Sequence, residues 1–173
     1  MRKISLLLVL APIFAVPASG QALKGHNSDA PVDVSADRIE VQDRADRAIF
    51  AGNVRVQQAG LNLNAARLTV AYDKIGGGRE ITRIDASGGV TVTSASESAS
   101  GAFAVYDLPR KLITLVGGVT LTQGGNRVNG GRLVIDLTSG RAVVDGNAGA
   151  PGAEGGSSGG RVTGRFTVSK RDQ

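Results

Sequence analysis

Three stretches decide the fold: Gly52-Asn53-Val54-Arg55-Val56-Gln57, Gly88-Gly89-Val90-Thr91-Val92-Thr93 and Gly117-Gly118-Val119-Thr120-Leu121-Thr122. Each sets a Gly and a small residue ahead of alternating apolar positions. Alternation with a period of two places every second side chain on one face of a strand. Each stretch follows a similar strand end, Ile49-Phe50-Ala51, Ile84-Asp85-Ala86-Ser87 or Ile113-Thr114-Leu115-Val116. Each is followed by a run closing on an acidic residue: Leu68 to Asp73, Phe103 to Asp107 and Leu133 to Asp136. The leading Val residues stand 36 and 29 positions apart, so the chain repeats a β unit of roughly 30 to 35 residues with loops of varying length.

The same alternation extends outward on both sides. Val32 and Val34 open it, then Ile39 and Val41, Leu61 and Leu63, and Leu68, Val70 and Tyr72; later come Val105, Leu133 with Ile135, and Val143 or Val144. That is ten to twelve strands at the turn spacing of an all-β domain. No helical period is sustained, and Pro is absent between 32 and 108, so it interrupts none of the strands before that point. The recurring glycines read either as ordinary turn glycines or as bends at equivalent places in the sheet, since Gly alone takes positive φ freely.

The ends differ in kind. Arg2 and Lys3 precede an apolar run from Ile4 to Val16 and small residues around Ala18, Ser19 and Gly20, the layout of a secretory signal peptide over 1–22, cut after Gly20 or Ala22. The run is 13 residues long and holds Pro12, short of the roughly 20 residues of a membrane-spanning helix. Residues 146–160 are Gly- and Ser-rich and read as a linker; 161–173 alternate again through Val162, Phe166 and Val168 and read as a terminal strand or a basic tail. That tail either attracts phosphorylated head groups or simply keeps the end soluble.

Whole-chain charge is misleading here. Of 20 basic and 15 acidic residues, Arg2 and Lys3 leave with the leader, and Arg161, Arg165, Lys170 and Arg171 face only Asp172 in the tail. The body between 23 and 160 carries 14 of each sign. A neutral body with four Phe, two Tyr and no Trp lacks the basic, aromatic face of a nucleic-acid binder. No Cys is present, which removes disulfides and thiolate metal sites and suits a bacterial periplasm.

The sequence carries no recognisable catalytic motif. Gly155-Gly156-Ser157-Ser158-Gly159 spells a nucleophile elbow but lies in the linker, with no strand before it and no helix after. His26, the single His, precedes the first strand and reads as a disordered surface residue. Asp33, Asp37, Glu40, Asp43 and Asp46 alternate with Arg38, Arg44 and Arg47, a mixed-charge surface and no calcium loop. Asp73, Asp107 and Asp136 recur with the repeat and read as turn residues. No cofactor, metal or catalytic residue is expected. The remaining working surface is the apolar face, which either packs solid or stays open enough to accept a lipid.

Ile49-Phe50-Ala51-Gly52-Asn53-Val54-Arg55-Val56, with Leu61-Asn62-Leu63-Asn64-Ala65 and Leu68-Thr69-Val70, resembles the OstA-like family. Pro31 to Asp37 upstream and Leu115 to Leu121 downstream fit the same plan, so the likeness covers residues 31–145. Gly89 and Gly118 depart from it by standing where the first copy has Asn53, and the linker and tail are no part of the motif. The resemblance implies a β-jellyroll of two antiparallel sheets, open at the edges, whose interior shields the acyl chains of lipopolysaccharide. It implies units joined edge to edge, head to tail with copies of themselves, between an inner-membrane-anchored partner and an outer-membrane assembly protein. By alternation the interior is then Val32, Val34, Ile39, Val41, Phe50, Val54, Val56, Leu61, Leu63, Leu68 and Val70, followed by Ile84, Val90, Val92, Phe103, Val105, Leu115, Val119, Leu121, Leu133 and Ile135. Two other readings use the same pattern: an OstA-like assembly scaffold without lipid, and a β-repeat surface protein.

Overall fold

The structure, a computed structural model, describes residues 26–146 and 160–167. The leader and most of the linker lie outside the described residues. Ten strands follow one another: β1 (Asp33–Ser35), β2 (Arg38–Gln42), β3 (Arg47–Gln58), β4 (Leu61–Ile75), β5 (Gly78–Thr93), β6 (Glu97–Asp107), β7 (Leu112–Gln123), β8 (Asn126–Asp136), β9 (Arg141–Asp145) and β10 (Thr163–Arg165). One 3-10 turn, Asp43–Ala45, joins β2 to β3. The short runs read from the sequence merge in pairs, so that β3 to β8 are long strands of 11 to 16 residues.

All ten strands form a single sheet in which β3 to β8 meander in order, every neighbour antiparallel. Two short strands share each edge. β1 and β2 pair with the two halves of β3, while β9 and β10 pair with the two halves of β8. A meander of this kind is not a solenoid coil, so the repeat does not make a β-helix.

The sheet breaks register along one line that crosses every long strand. Shifts fall at Ala51/Val54, Asn64/Arg67, Ser87/Val90, Ser100/Phe103 and Val116/Val119. On β3, β5 and β7 the line passes through residue pairs with positive φ: Gly52 and Asn53, Gly88 and Gly89, Gly117 and Gly118. The glycines are therefore bulges inside strands and not turn residues. Why the first of each pair must be Gly is steric: a Cβ on Gly88 would sit 2.6 Å from the Ala66 methyl, and one on Gly117 2.7 Å from the Ala102 methyl. The second position has open space around it at Gly89 and Gly118, and Asn53 holds it with φ 46 in the first copy. Asn is the side chain that tolerates this left-handed conformation best, which accounts for the Asn/Gly exchange between copies.

Folding along this line turns the sheet into two layers. Layer A holds β1, residues 54–58, 61–65, 90–93, 97–101, 119–123 and 126–130, and β10. Layer B holds β2, residues 47–51, 67–75, 78–87, 103–107, 112–116 and 132–136, and β9. Side chains from both layers share one core, with Leu68, Leu115, Leu133, Ile135, Val54, Val90 and Val119 fully buried. This is the expected β-jellyroll, its two antiparallel layers formed by bending one continuous sheet.

Candidate functional site

The bend changes which residues face inward. In β5 and β7 inward positions keep their parity across the line: Ile84 and Ala86 then Val90 and Val92, Ile113 and Leu115 then Val119. In β4 and β6 parity flips: Leu61 and Ala65 then Leu68, Val70 and Tyr72; Glu97 and Ala99 then Ala104 and Tyr106. The extra residue of each bulge lies on β3, β5 and β7, where two residues oppose one of β4, β6 or β8; those strands absorb the bend and keep their phase, while β4 and β6, with no extra residue, cross it with their alternation reversed.

Of the residues expected inside, Val54, Val56, Leu61, Leu68, Val70, Ile84, Val90, Val92, Leu115, Val119, Leu133 and Ile135 form the core. Val32, Val34, Phe50, Leu63 and Leu121 pack against it. Phe103 and Val105 do not: they lie past the bend in β6, where the alternation reverses and turns them outward, leaving Phe103 55% exposed while Ala104 and Tyr106 take the interior. Ile39 and Val41 are a second correction. They pair with Phe50 and Ala48 and so share the inner face, yet are 54% and 58% exposed because β2 is the end of the sheet.

At the opposite end Phe166 is 67% and Val162 44% exposed. Gly164 pairs with Val128, and the Phe166 ring lies where a Gly164 Cβ would project, which puts Phe166 on the inner side of layer A. Among the described residues, four of the five exposed large apolar side chains thus stand at the two ends of the interior.

Between these ends the layers are closed on each other. An apolar crevice with a cavity of about 20 Å³ runs between Val56, Leu61, Leu63 and Val92 of layer A and Ile84, Ala104, Tyr106 and Ile113 of layer B. That is barely space for one water molecule. The interior is filled by its own side chains, and anything larger enters only as the layers part.

A polar clasp closes the rim. Gln58 continues the alternation of Val54 and Val56 and is buried. Its Nε2 donates to the carbonyls of Ser28 and Ala30, 2.9 Å each, and its Oε1 accepts from Tyr106 Oη at 3.3 Å and His26 Nε2 at 3.2 Å. Because both carbonyls only accept, the amide orientation is fixed, and His26 must carry its proton on Nε2. Residues 26–32 are thereby tied over the mouth between the layers, with Lys111 Nζ 3.3 Å from Asp29. His26 is half-buried and hydrogen-bonded, against the expectation of a disordered surface residue. Burial pushes the Tyr106 phenol above its ordinary pKa, partly offset by the Ser28 hydroxyl.

Elsewhere on the interior, Glu97 is buried in layer A and accepts from Gln123 Nε2. The aliphatic alternation does not mark Gln58, Tyr106 or Glu97. For Gln58 the signal existed, since it is in phase with Val54 and Val56. Asp107 and Asp136 are the turn residues expected: their Oδ1 atoms accept from the N–H of Arg110 and from those of Thr138 and Ser139. These bonds hold the Asp136 carboxyl below its ordinary pKa. Among the described residues no group of three or more acidic or His side chains could hold a metal ion.

A bent antiparallel sheet with an aliphatic interior, a polar clasp at its rim and free edges at both ends is an open-edged β-jellyroll. The chain belongs to the LptA/(LptD N-terminal domain) LPS transport protein family, whose model matches residues 33–141. An uncharacterized protein of Rhizobium meliloti (strain 1021) is 34% identical over 126 residues, 69% of this chain and 67% of that protein. The fold is similar to the crystal structure of LptH from Pseudomonas aeruginosa, described as the LptA-homologous periplasmic component of the conserved lipopolysaccharide transport device. That match has a TM-score of 0.69 and 19% identity, and it covers 87% of this chain and 99% of the other. The family is one of transport proteins, in keeping with a site built from aliphatic side chains.

Proposed function

We propose that this chain is a periplasmic lipid-binding bridge, which holds the acyl chains of lipopolysaccharide between its layers on the way from inner to outer membrane. The observation that carries the reading is the interior itself: aliphatic side chains line it from Ile39 and Val41 at one end to Ala142 and Val144 at the other. Each acyl methylene moved there from water is worth roughly 0.8 kcal/mol. Since the resting cavity is so small, loading separates the layers, and acyl chains replace the contacts that side chains make with one another. The signal-peptide pattern before residue 23 supports export, and the periplasmic description of LptH agrees with it.

The edges supply the bridge. Strand edges left unpaired accept further strands, and joining them extends the interior from one unit to the next. The partners are further copies of this chain, an inner-membrane-anchored protein and an outer-membrane assembly protein of the same fold.

A photo-crosslinking residue at Leu63, which lines the crevice, is expected to capture lipopolysaccharide in cells. The same residue at outward-facing Arg55 or Phe103 is expected to capture none. Adducts only at the outward positions would remove the carrier reading and leave an assembly scaffold that uses its edges alone.

A further inference from the structure

Residues 26–32 precede the residues matched by the family model, which begin at 33, and they form no strand of the sheet. Two kinds of contact hold them across the mouth. On the inner side are the uncharged bonds to the buried Gln58 amide. On the outer side is an ion pair, with Lys111 Nζ 3.3 Å from Asp29 Oδ1 and 3.5 Å from its Oδ2. The Asp29 side chain is 82% exposed and that of Lys111 38%, so a competing anion reaches the pair from solvent. An exposed pair of this length is weak and readily exchanged.

An open cleft of about 600 Å³ lies against this segment, bounded across from it by Arg79, Ile81, Leu108 and Lys111. Val32 and Gln58 line both this cleft and the aliphatic crevice between the layers, so the two hollows meet there. The outer one carries charge: Asp29 and Glu80, Arg79 and Lys111. Arg79 is engaged by Asp43 at 2.7 Å, whereas Lys111 is engaged by the segment itself. Lifting residues 26–32 therefore frees an ammonium beside the opening of an apolar interior. A hollow that passes from aliphatic to charged within one mouth has the chemistry of an amphiphile site.

The backbone at Lys111 adds an independent sign. It stands at φ 55 in the turn between β6 and β7, where Gly or Asn fits with less strain. Its N–H donates to the Leu108 carbonyl and its carbonyl accepts from the Leu137 N–H, both at 3.0 Å, bonds that either of those residues would also make. What a lysine brings to this strained position is its ammonium at the cleft.

We propose that Asp29 is an internal stand-in for the anionic head of a bound amphiphile. Its carboxylate fills the place at Lys111 that a phosphate head group takes when the chain enters between the layers, and the exchange releases residues 26–32 from the mouth. This rests on the carrier reading above and deepens it by naming the charge at the entrance and the segment that closes it.

The test titrates three probes into residues 23–173 and into the D29N and K111N forms: dodecyl phosphate, dodecyl maltoside with the same chain on an uncharged head, and inorganic phosphate, all below micelle concentrations. Asn suits the positive φ at position 111, so K111N keeps the fold. Both variants break the same ion pair, and a pair that only fastens the segment gives both the same effect. For dodecyl phosphate, D29N is expected to bind about threefold to tenfold tighter and K111N weaker by a similar factor. For dodecyl maltoside both variants should bind slightly tighter. Dodecyl phosphate should speed amide exchange in residues 26–32, and inorganic phosphate should not.

Shifts of the same sign in both variants for dodecyl phosphate would overturn the proposal, as would release of the segment by inorganic phosphate alone. A lock gives a second reading. The chain has no Cys, so D29C/K111C carries its only thiols, and a short cleavable bis-maleimide across them should block dodecyl maltoside uptake until it is cut. Unchanged uptake by the locked form would also overturn the proposal. Binding of both amphiphiles with the wrong pattern removes this inference alone; no binding of either, with no capture of lipopolysaccharide at Leu63, removes the carrier reading and this inference with it.

Discussion

Tyr106 and Gln58 belong to opposite layers, 48 positions apart in sequence, and the phenol of one donates to the amide oxygen of the other at 3.3 Å. The bond ties the rims at the point where residues 26–32 cross the mouth. Four hydrogen bonds converge on the single Gln58 side chain. Gln58→Ala leaves the Tyr106 hydroxyl without this partner and frees the Ser28 and Ala30 carbonyls. The expected cost is about 1–3 kcal/mol in urea unfolding, with faster amide exchange or proteolysis confined to residues 26–32. Unchanged protection of that segment would mean the clasp does not hold it.

Burial of the Tyr106 phenol predicts an alkaline weakness. A group whose folded pKa is raised contributes stability below its ordinary pKa and loses it as pH rises through the folded value. Here the ordinary value is 10.0 and the folded one lies above it, so stability should fall as pH climbs past 10. Tyr106→Phe cannot ionise at that site and should show a shallower decline between pH 9 and 11, measured by denaturant midpoint. The same slope in both proteins would assign the loss to other groups.

At the bend the two members of each positive-φ pair should respond differently. Gly88→Asn adds a side chain against the Ala66 methyl and is expected to cost about 2 kcal/mol or more. Gly89→Asn places there the residue that Asn53 already represents in the first copy, with open space around it, and should cost under about 1 kcal/mol. Thermal or urea unfolding of the two variants side by side decides it.

Inward and outward faces of β6 and β7 can be separated by truncation. Leu115→Ala removes a fully buried side chain and should cost about 2–5 kcal/mol. Phe103→Ala, on the outer face, should change stability by less than about 1 kcal/mol despite the larger side chain removed. A large loss at Phe103 would put it back in the interior.

Much of the interior is legible in the sequence because the period of two is strict within each half-strand. Val54 and Val56, Leu68 and Val70, and Val90 and Val92 announce their face directly. The failures at Phe103 and Val105 have one cause. Gly101-Ala102 carries no positive φ and reads like any small pair, yet it is the step, lying between the bulges of β5 and β7, at which the alternation of β6 reverses. Two apolar residues in the wrong phase then look like core. Ile39 and Val41 fail differently: their face is right, but exposure at the end of a sheet depends on the absence of a neighbour, which alternation does not encode. Gln58 was hidden by its polarity, since a buried amide makes sense only once the four groups around it are in place.

Both layers are eight strands wide, and that width sets a dimension for whatever the chain builds. Strands lie about 4.8 Å apart, so each unit joined end to end would add about 38 Å. Neighbouring strands are also rotated by roughly 20–25°, so one unit turns through about half a revolution. A filament of such units would grow in fixed increments, like a ruler with one graduation per copy. The seam between its rims would spiral, facing one way on a given copy and the opposite way on the next.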